Sequence, residues 1–205
     1  MGKYSGNKGK ICRRFGVNLF GNMKYDKVLA KRPNPPGVHG ANAARKKLSE
    51  YGKQLIEKQK LKITYGLREK QFRITFDRAA KLSGVTGNNL MILLEARLDN
   101  VVYRLGFAPT RSAARQLVGH GHVRINGRRC NISSYSVRPG DVVTLKDSSR
   151  SKALVQRHLD GARGETPEWV SLIKDELKGE IVRLPEREEI PSVADELMVV
   201  ELYSK

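Results

Sequence analysis

Cysteine, histidine and aromatic side chains are scarce in this chain, and each scarcity removes a class of function. Only two cysteines, Cys12 and Cys130, occur among 205 residues, and they stand far apart. They form no CxxC pair, which argues against a redox motif and a disulfide framework alike. The four histidines, His39, His120, His122 and His158, show no HExxH or similar spacing. His120 and His122 would share a strand face, but a zinc centre asks for about four ligands and the others are not in sight. Phe, Trp and Tyr make up 6% of the chain, too few for base stacking on single strands to be the main device. No stretch approaches the roughly 20 apolar residues that span a bilayer, and the amino-terminal MGKYSGNKGK lacks the apolar centre of a secretory signal. The expectation is a cytoplasmic or organelle-matrix protein with no cofactor and no metal.

Negative charge is also in short supply. The 39 Lys and Arg face 21 Asp and Glu, for a formal net charge of +18 and a sequence pI near 10.1. Such an excess repels itself in a compact fold, so a polyanionic partner is its natural explanation. The excess is uneven. Residues 1–90 hold 21 basic and 5 acidic side chains, net +16; residues 91–164 hold 13 and 5, net +8; residues 165–205 hold 5 and 11, net −6. The length suits one or two modest domains with a real core.

Residues 1–45 read as a basic extended arm. Apolar periodicity is poor, the pair Arg13-Arg14 punctuates it, and RPNPPGVHG (32–40) is not helical because its prolines fix φ and remove amide donors. From about Ala44 the pattern turns helical. Leu48, Tyr51, Leu55 and Ile56 mark an apolar face, and Gly66 closes the helix. A second helix is expected from about Arg68 to Leu82 with Phe72, Phe76, Ala79 and Ala80 inward. After the turn SGVTGNN, a third runs from about Leu90 to Leu105 on Leu94, Leu98, Val101, Val102 and Leu105. Thr110 is a good N-cap for a short helix that turns Ala113, Ala114, Leu117 and Val118 inward. The acidic end carries Met198 to Val200, Leu202 and Tyr203 beside carboxylates. It should pack on the protein's own helices or face a basic protein neighbour, with Trp169 in the core or at its rim. The expected layout is the arm, a helical domain over 46–92 completed by 165–205, and a small α/β module over 93–164.

The stretch GHGHVRINGRR (119–129) reads most clearly. Asn-Gly between alternating apolar residues signals a two-residue hairpin turn, because both turn positions need φ > 0. Ile125 then pairs with Arg128, Arg124 with Arg129 and Val123 with Cys130. Val123, Ile125 and Cys130 share an inward face; His122, Arg124 and Arg129 share the other. Two arginines directly opposite across a ladder repel, so either both splay into water or an anion lies between them. Arg111 and Arg115, four apart on a helix, project together, and Arg97 and Arg104 lie on one flank of the preceding helix. Guanidinium forks match phosphate oxygens, so phosphate fits this constellation better than a metal does.

LLEARLDNVVYRLGFAPTRSAARQLVGHGHVRINGRR, NPPGVHG, SEYGKQLIEKQKLKITYGLREKQF and the closing ELYSK together resemble the S-four family of small-subunit ribosomal proteins in its bacterial and organellar form. The resemblance covers essentially the whole chain. It implies an α+β fold: the basic arm, the helical domain built from the amino-terminal half plus the carboxyl-terminal tail, and an inserted helix-helix-hairpin RNA-binding module. It implies a primary binder of small-subunit ribosomal RNA, at a multi-helix junction of the 5′ domain, that nucleates assembly of the subunit body. The residues expected on that RNA are Arg13, Arg14, Lys53, Lys58, Lys62, Arg68 and Arg73 in the first half. In the module they are Arg97, Arg104, Arg111, Arg115, His122, Arg124, Arg128 and Arg129. The resemblance also implies a position where messenger RNA enters the subunit, with Arg45, Lys46 and Lys47 helping to open messenger structure, and contact with neighbouring ribosomal proteins that affects decoding accuracy. Some relatives hold zinc with four cysteines in the arm; here Cys12 stands alone, Gly9 occupies a partner's place, and a metal-free arm is expected.

Two other functions bear weighing. The same small module is attached to RNA-modifying and RNA-quality-control proteins, but such enzymes need a catalytic carboxylate in a cleft. Residues 1–90 offer only Asp26, Glu50, Glu57, Glu69 and Asp77 on basic helices, with no phosphate-binding loop. A DNA regulator reading bases with the helix after Thr110 would present Ala where long polar side chains are wanted.

Overall fold

The computed structural model describes residues 6–45, 47–146, 149–160 and 166–204, without the side chains of residues 43–45, 149–151, 154 and 160. It divides into two units, Met1–Asn88 with Pro191–Lys205, and Asn89–Ile190. Helices and one antiparallel sheet make it an α+β protein.

The first unit opens on two short helices, α1 (Lys8–Phe15) and α2 (Met23–Lys31). Asn7 caps α1 by accepting the Gly9 amide at 2.9 Å, and Asn22 caps α2 by accepting from Lys24 at 2.9 Å. The two helices contact each other, Cys12 and Leu19 are buried, and the rings of Phe20 and Tyr25 lie 5.5 Å apart. The expectation of an extended arm over residues 1–45 is therefore corrected. Caps and a small local core fold a segment whose helices are about two turns each, too short to print a periodicity. The proline-rich stretch after α2 runs through bends and a turn, and Arg13 fastens it: Nε donates to the carbonyls of Arg32 (3.1 Å) and Asn34 (2.9 Å), and Nη2 to that of Pro35 (3.3 Å).

The rest of this unit packs α3 (Glu50–Thr64), α4 (Glu69–Ala80) and α9 (Glu196–Tyr203). Phe72, Phe76 and Ala79 are buried as expected, whereas Ala80 is exposed. On α3 the inward face is Gln54, Lys58 and Leu61; Leu48 and Tyr51 are exposed at 48% and 58%. The reason is the partner. α9 presents Glu201, which accepts from Gln54 at 2.8 Å, and Tyr203, whose hydroxyl donates to Glu69 at 2.9 Å. A polar seam thus takes the place of the apolar stripe that the pattern implied.

In the second unit, the single helix expected over 90–105 is two, α5 (Thr86–Glu95) and α6 (Leu98–Arg104). Between them Arg97 is extended and bridges Ser136, while Val137 donates to the Ala96 carbonyl (2.9 Å) and Leu98 to that of Tyr135 (2.8 Å). A distant segment supplies these bonds, so no local signal marks the break. α7 (Arg111–Gly119) follows, with Thr110 Oγ1 accepting from the Ala113 amide at 3.2 Å. The sheet has strand order β2-β1-β3-β5-β4, built from β1 (Val123–Ile125), β2 (Arg128–Arg129), β3 (Val142–Leu145), β4 (Val170–Ile173) and β5 (Lys178–Ile181). The helix α8 (Ser149–Asp160) lies between β3 and β4 in sequence.

The expected border of the module at residue 164 is thereby shifted. Val170–Ile173 and Lys178–Ile181 of the acidic segment are strands of this sheet, joined to it through Val142 opposite Glu180 and Val143 opposite Gly179, and only the end of the chain joins α3. The core under the sheet gathers Leu98, Val101, Val102, Leu105, Leu117, Val118, Val123, Ile125, Val143, Val155, Trp169 and Ile181. At Gly179 a Cβ would fall against Leu105 Cδ1 and 2.6 Å from its Cδ2, so glycine is what lets α6 lie this close to β5.

Candidate nucleic-acid interface

The hairpin forms as its residues dictate. Asn126 (φ 50°) and Gly127 (φ 78°) both occupy the left-handed region, the two-residue turn whose twist matches its strands. Arg124 stands opposite Arg129 and Ile125 opposite Arg128, and the Cys130 amide donates to the Val123 carbonyl at 3.1 Å. A second turn braces the first. In Arg138-Pro139-Gly140-Asp141, Asp141 accepts the Arg138 amide at 2.8 Å and the Asn126 side-chain amide at 2.9 Å. Asn126 in turn accepts the Val142 amide at 2.9 Å. The tip carrying the arginines is thus tied to the centre of the sheet.

The register sorts the cations by face. Val123, Ile125, Val143 and Leu145 point into the core. Arg129, Arg124, Thr144 and Lys178 therefore follow one another across four strands on the outer face. Arg128 pairs with Ile125 and so leaves the ribbon on the other side, exposed. Among the described residues no carboxylate pairs with Arg128 or Arg129. The Arg129 guanidinium lies close over the Cα of Gly121, where a Cβ would stand 2.7 Å from Cζ. His122 and Arg124 are half-buried beside it. Cys130, expected in the core, is only partly buried at the hairpin's margin. Lys178 was missed from the sequence because it sits in a segment of net negative charge; strand pairing alone brings it into the row.

The other four arginines expected on RNA in the module are held by two buried carboxylates. Glu95 takes Arg104 in a two-pronged pair, Nε and Nη2 both at 2.8 Å, and accepts from Asn100 at 2.6 Å. Arg111 Nη2 lies 3.7 Å from the same carboxylate, its Nε donates to Asn100 Oδ1 at 2.7 Å, and its guanidinium lies 4.7 Å over the Tyr103 ring. Asp99 takes Arg97 (3.2 and 3.0 Å) and Arg115 (Nε, 2.8 Å). These side chains keep between 11% and 27% of their surface exposed.

In the first unit the cations expected on RNA divide into tethered and open ones. Lys58 is buried and donates to Glu69 at 2.7 Å, and Lys62 reaches the same carboxylate at 2.9 Å. Burial alone would raise the Glu69 carboxyl, but the hydrogen bonds from Lys58, Lys62 and Tyr203 outweigh it and bring it down to about 2. Burial, then the carboxylate of Glu69, push the Tyr203 phenol well above its ordinary value. Lys53 pairs with Glu50 at 2.7 Å. Arg14, Arg68 and Arg73 are exposed, Arg73 5.9 Å over the Tyr203 ring. Arg13 holds the proline-rich segment as described. Lys47 is exposed; Lys46 and the side chain of Arg45 lie outside the described residues.

Among the described residues no three or more His, Cys, Asp or Glu side chains are grouped to hold a metal ion, and no helix is long and apolar enough to cross a membrane. Cys12, on α1, is buried, and that burial pushes its thiol up.

Comparison with known proteins agrees with this arrangement. Residues 3–95 match the ribosomal protein S4/S9 N-terminal domain and residues 96–143 match the S4 domain. The chain is 51% identical to small ribosomal subunit protein uS4 of Akkermansia muciniphila and 52% identical to that of Brevibacillus brevis, with all of both chains covered in each case. It is 49% identical to that of Borrelia duttonii, over all of this chain and 99% of the relative. Agreement at this level along the full length means that the chain belongs to the small ribosomal subunit protein uS4 family.

Proposed function

We propose that this chain is a primary binder of small-subunit ribosomal RNA that recognises a folded multi-helix junction of the 5′ domain and nucleates assembly of the subunit body. As a uS4 family member it is a structural component of the small ribosomal subunit in the cytoplasm and not an enzyme. Its partners are ribosomal RNA and other ribosomal proteins. The observation that carries the proposal is the outer row of Arg129, Arg124 and Lys178 on a braced sheet, with Arg124 and Arg129 directly opposed. Opposed guanidiniums repel unless a phosphate lies between them. Recognition is by charge and shape, since a rigid sheet with few aromatics suits backbone contact better than the reading of splayed bases.

The module's arginines and the open cations Arg14, Arg68 and Arg73 supply the phosphate contacts. If ~6–10 phosphates are neutralised, affinity falls about 10³–10⁵-fold between 50 and 200 mM salt. Arg124→Ala with Arg129→Ala weakens binding of a small-subunit RNA fragment while the thermal unfolding midpoint stays near that of the parent. A flat salt response, or full affinity in the double variant, would refute this role.

Arg45, Lys46 and Lys47 follow the Pro-Pro-Gly-Val-His-Gly stretch and are assigned to the channel through which messenger RNA enters. Lys46→Ala with Lys47→Ala should leave ribosomal RNA binding intact and slow translation through structured messenger. Unchanged passage through such structure removes that role. The family's contact with a neighbouring ribosomal protein, affecting decoding accuracy, belongs to the same proposal.

A further inference from the structure

Two buried carboxylates in a protein built to meet a polyanion require an explanation, because their charge opposes the partner and their burial is costly. Glu95 is fully buried and Asp99 nearly so. Neither is balanced by a single partner: Glu95 faces Arg104 and Arg111, and Asp99 faces Arg97 and Arg115. An ion pair serving stability alone needs one guanidinium per carboxylate. Here each carboxylate gathers two, and these six charged side chains together keep two positive charges in excess.

The geometry says what the carboxylates gain. A long arginine loses rotamer freedom when a ligand fixes it. Arg104 and Arg97 are instead held by Nε and Nη2 on both oxygens of a carboxylate, and Arg115 by Nε and Nη2 on one, before any ligand arrives. Arg111 is held through Nε by Asn100, with its face on Tyr103. A guanidinium bonded along the Nε edge keeps its orientation while part of each side chain still reaches the surface.

We infer that Glu95 and Asp99 are positioning residues for RNA binding, which fix Arg97, Arg104, Arg111 and Arg115 in the orientation that takes phosphate oxygens. The inference rests on the RNA-binding reading of the module and adds to it two acidic residues whose removal works against their charge. Long-range electrostatics alone says that Asp99→Asn, which raises the formal net charge from +18 to +19, strengthens binding to RNA. Positioning says the reverse.

The test is binding of the full chain to a small-subunit RNA fragment, with affinity referred to the folded fraction measured by circular dichroism. Asp99→Asn weakens binding about tenfold, the value of one charge-assisted hydrogen bond, and the weakening disappears in an Arg97→Ala, Arg115→Ala background. Glu95→Gln repeats the pattern against Arg104→Ala with Arg111→Ala. Arg115→Lys, which keeps the charge on a partly exposed residue and loses the fork, binds as weakly as Arg115→Ala.

Unchanged or tighter binding by folded Asp99→Asn overturns the inference. So does full affinity of Arg115→Lys, which applies even if the carboxylate variants fail to fold. Full affinity of Arg97→Ala with Arg115→Ala also overturns it, while leaving RNA binding by the hairpin standing. Absence of RNA binding by the parent chain sinks the proposed function itself.

Discussion

Gly179→Ala is the sharpest test of how this sheet is assembled, because two effects of opposite sign compete there. Replacing glycine by alanine normally stabilises by about 0.4–1 kcal/mol, since the unfolded chain has less freedom to lose. At position 179 the added methyl would fall against Leu105 Cδ1, 2.6 Å from Cδ2 and 3.0 Å from Cγ. Carbon atoms in contact prefer ~3.5–4.0 Å. Leu105 is buried in the core of the second unit beneath the sheet and has no room to swing away. Overpacking of this kind costs about 1–3 kcal/mol, so the net expectation is destabilisation of about 1–2 kcal/mol after the gain in the unfolded state. With a urea slope of about 1–3 kcal/mol per molar, the midpoint drops by roughly 0.5–1 M. The assay is urea unfolding followed at Trp169, which lies in the same core.

A second substitution assigns the cause. In a Leu105→Ala background the obstructing atoms are gone, and Gly179→Ala becomes neutral or stabilising; the two changes couple with a sign that only direct contact produces. An unchanged or raised midpoint for Gly179→Ala alone would refute the reasoning, and with it the claim that glycine at this position is what brings α6 onto β5.

Other consequences follow from the same geometry. Glu69 lies near 2 when folded, against its ordinary 4.5, so its stabilisation is complete above about pH 4.5 and is lost as pH falls through 2. With its side chain 48% exposed, screening leaves about 1 kcal/mol; Glu69→Gln should remove that part of the acid sensitivity, and an unaltered acid titration contradicts it. Asp141→Ala frees the tip of the hairpin by deleting the acceptor of Asn126 and of the Arg138 amide, at a cost of about 1–3 kcal/mol. Amide hydrogen exchange at Ile125 to Arg128 should quicken; unchanged exchange there denies the brace. Arg13→Ala releases the carbonyls of Arg32, Asn34 and Pro35, and limited proteolysis should then cut within residues 32–40 sooner than in the parent. Lys178→Ala should lower RNA affinity and reduce the salt slope by about 1, the signature of one lost phosphate contact; an unaltered slope removes Lys178 from the phosphate contacts.

Legibility tracked the range of the determining interaction. The hairpin was readable because Asn126-Gly127 specifies its own turn, and the turn length then sets Arg124 opposite Arg129. The Thr110 cap and the faces Phe72, Phe76, Ala79 and Leu117, Val118 were readable for the same reason: they rest on neighbours three or four residues away. Exposed Leu48 and Tyr51 show where that logic stops, because α3 turns toward Glu201 and Tyr203, contributed from almost 150 residues further along the chain.

The same distinction divides the interface. Composition and local pattern determined that the protein is basic and that a paired-arginine hairpin exists, and pointed to phosphate as the anion such a hairpin would take. Tertiary structure alone decided which cations stand open. Lys58 and Lys62 are tethered to Glu69, Arg97, Arg104, Arg111 and Arg115 are aimed by Glu95 and Asp99, and Lys178 joins Arg124 and Arg129 through strand pairing. Sequence specifies how much charge there is; the pairing of distant segments specifies where each charge points, since a guanidinium's direction is set by whichever carboxylate the fold brings beside it.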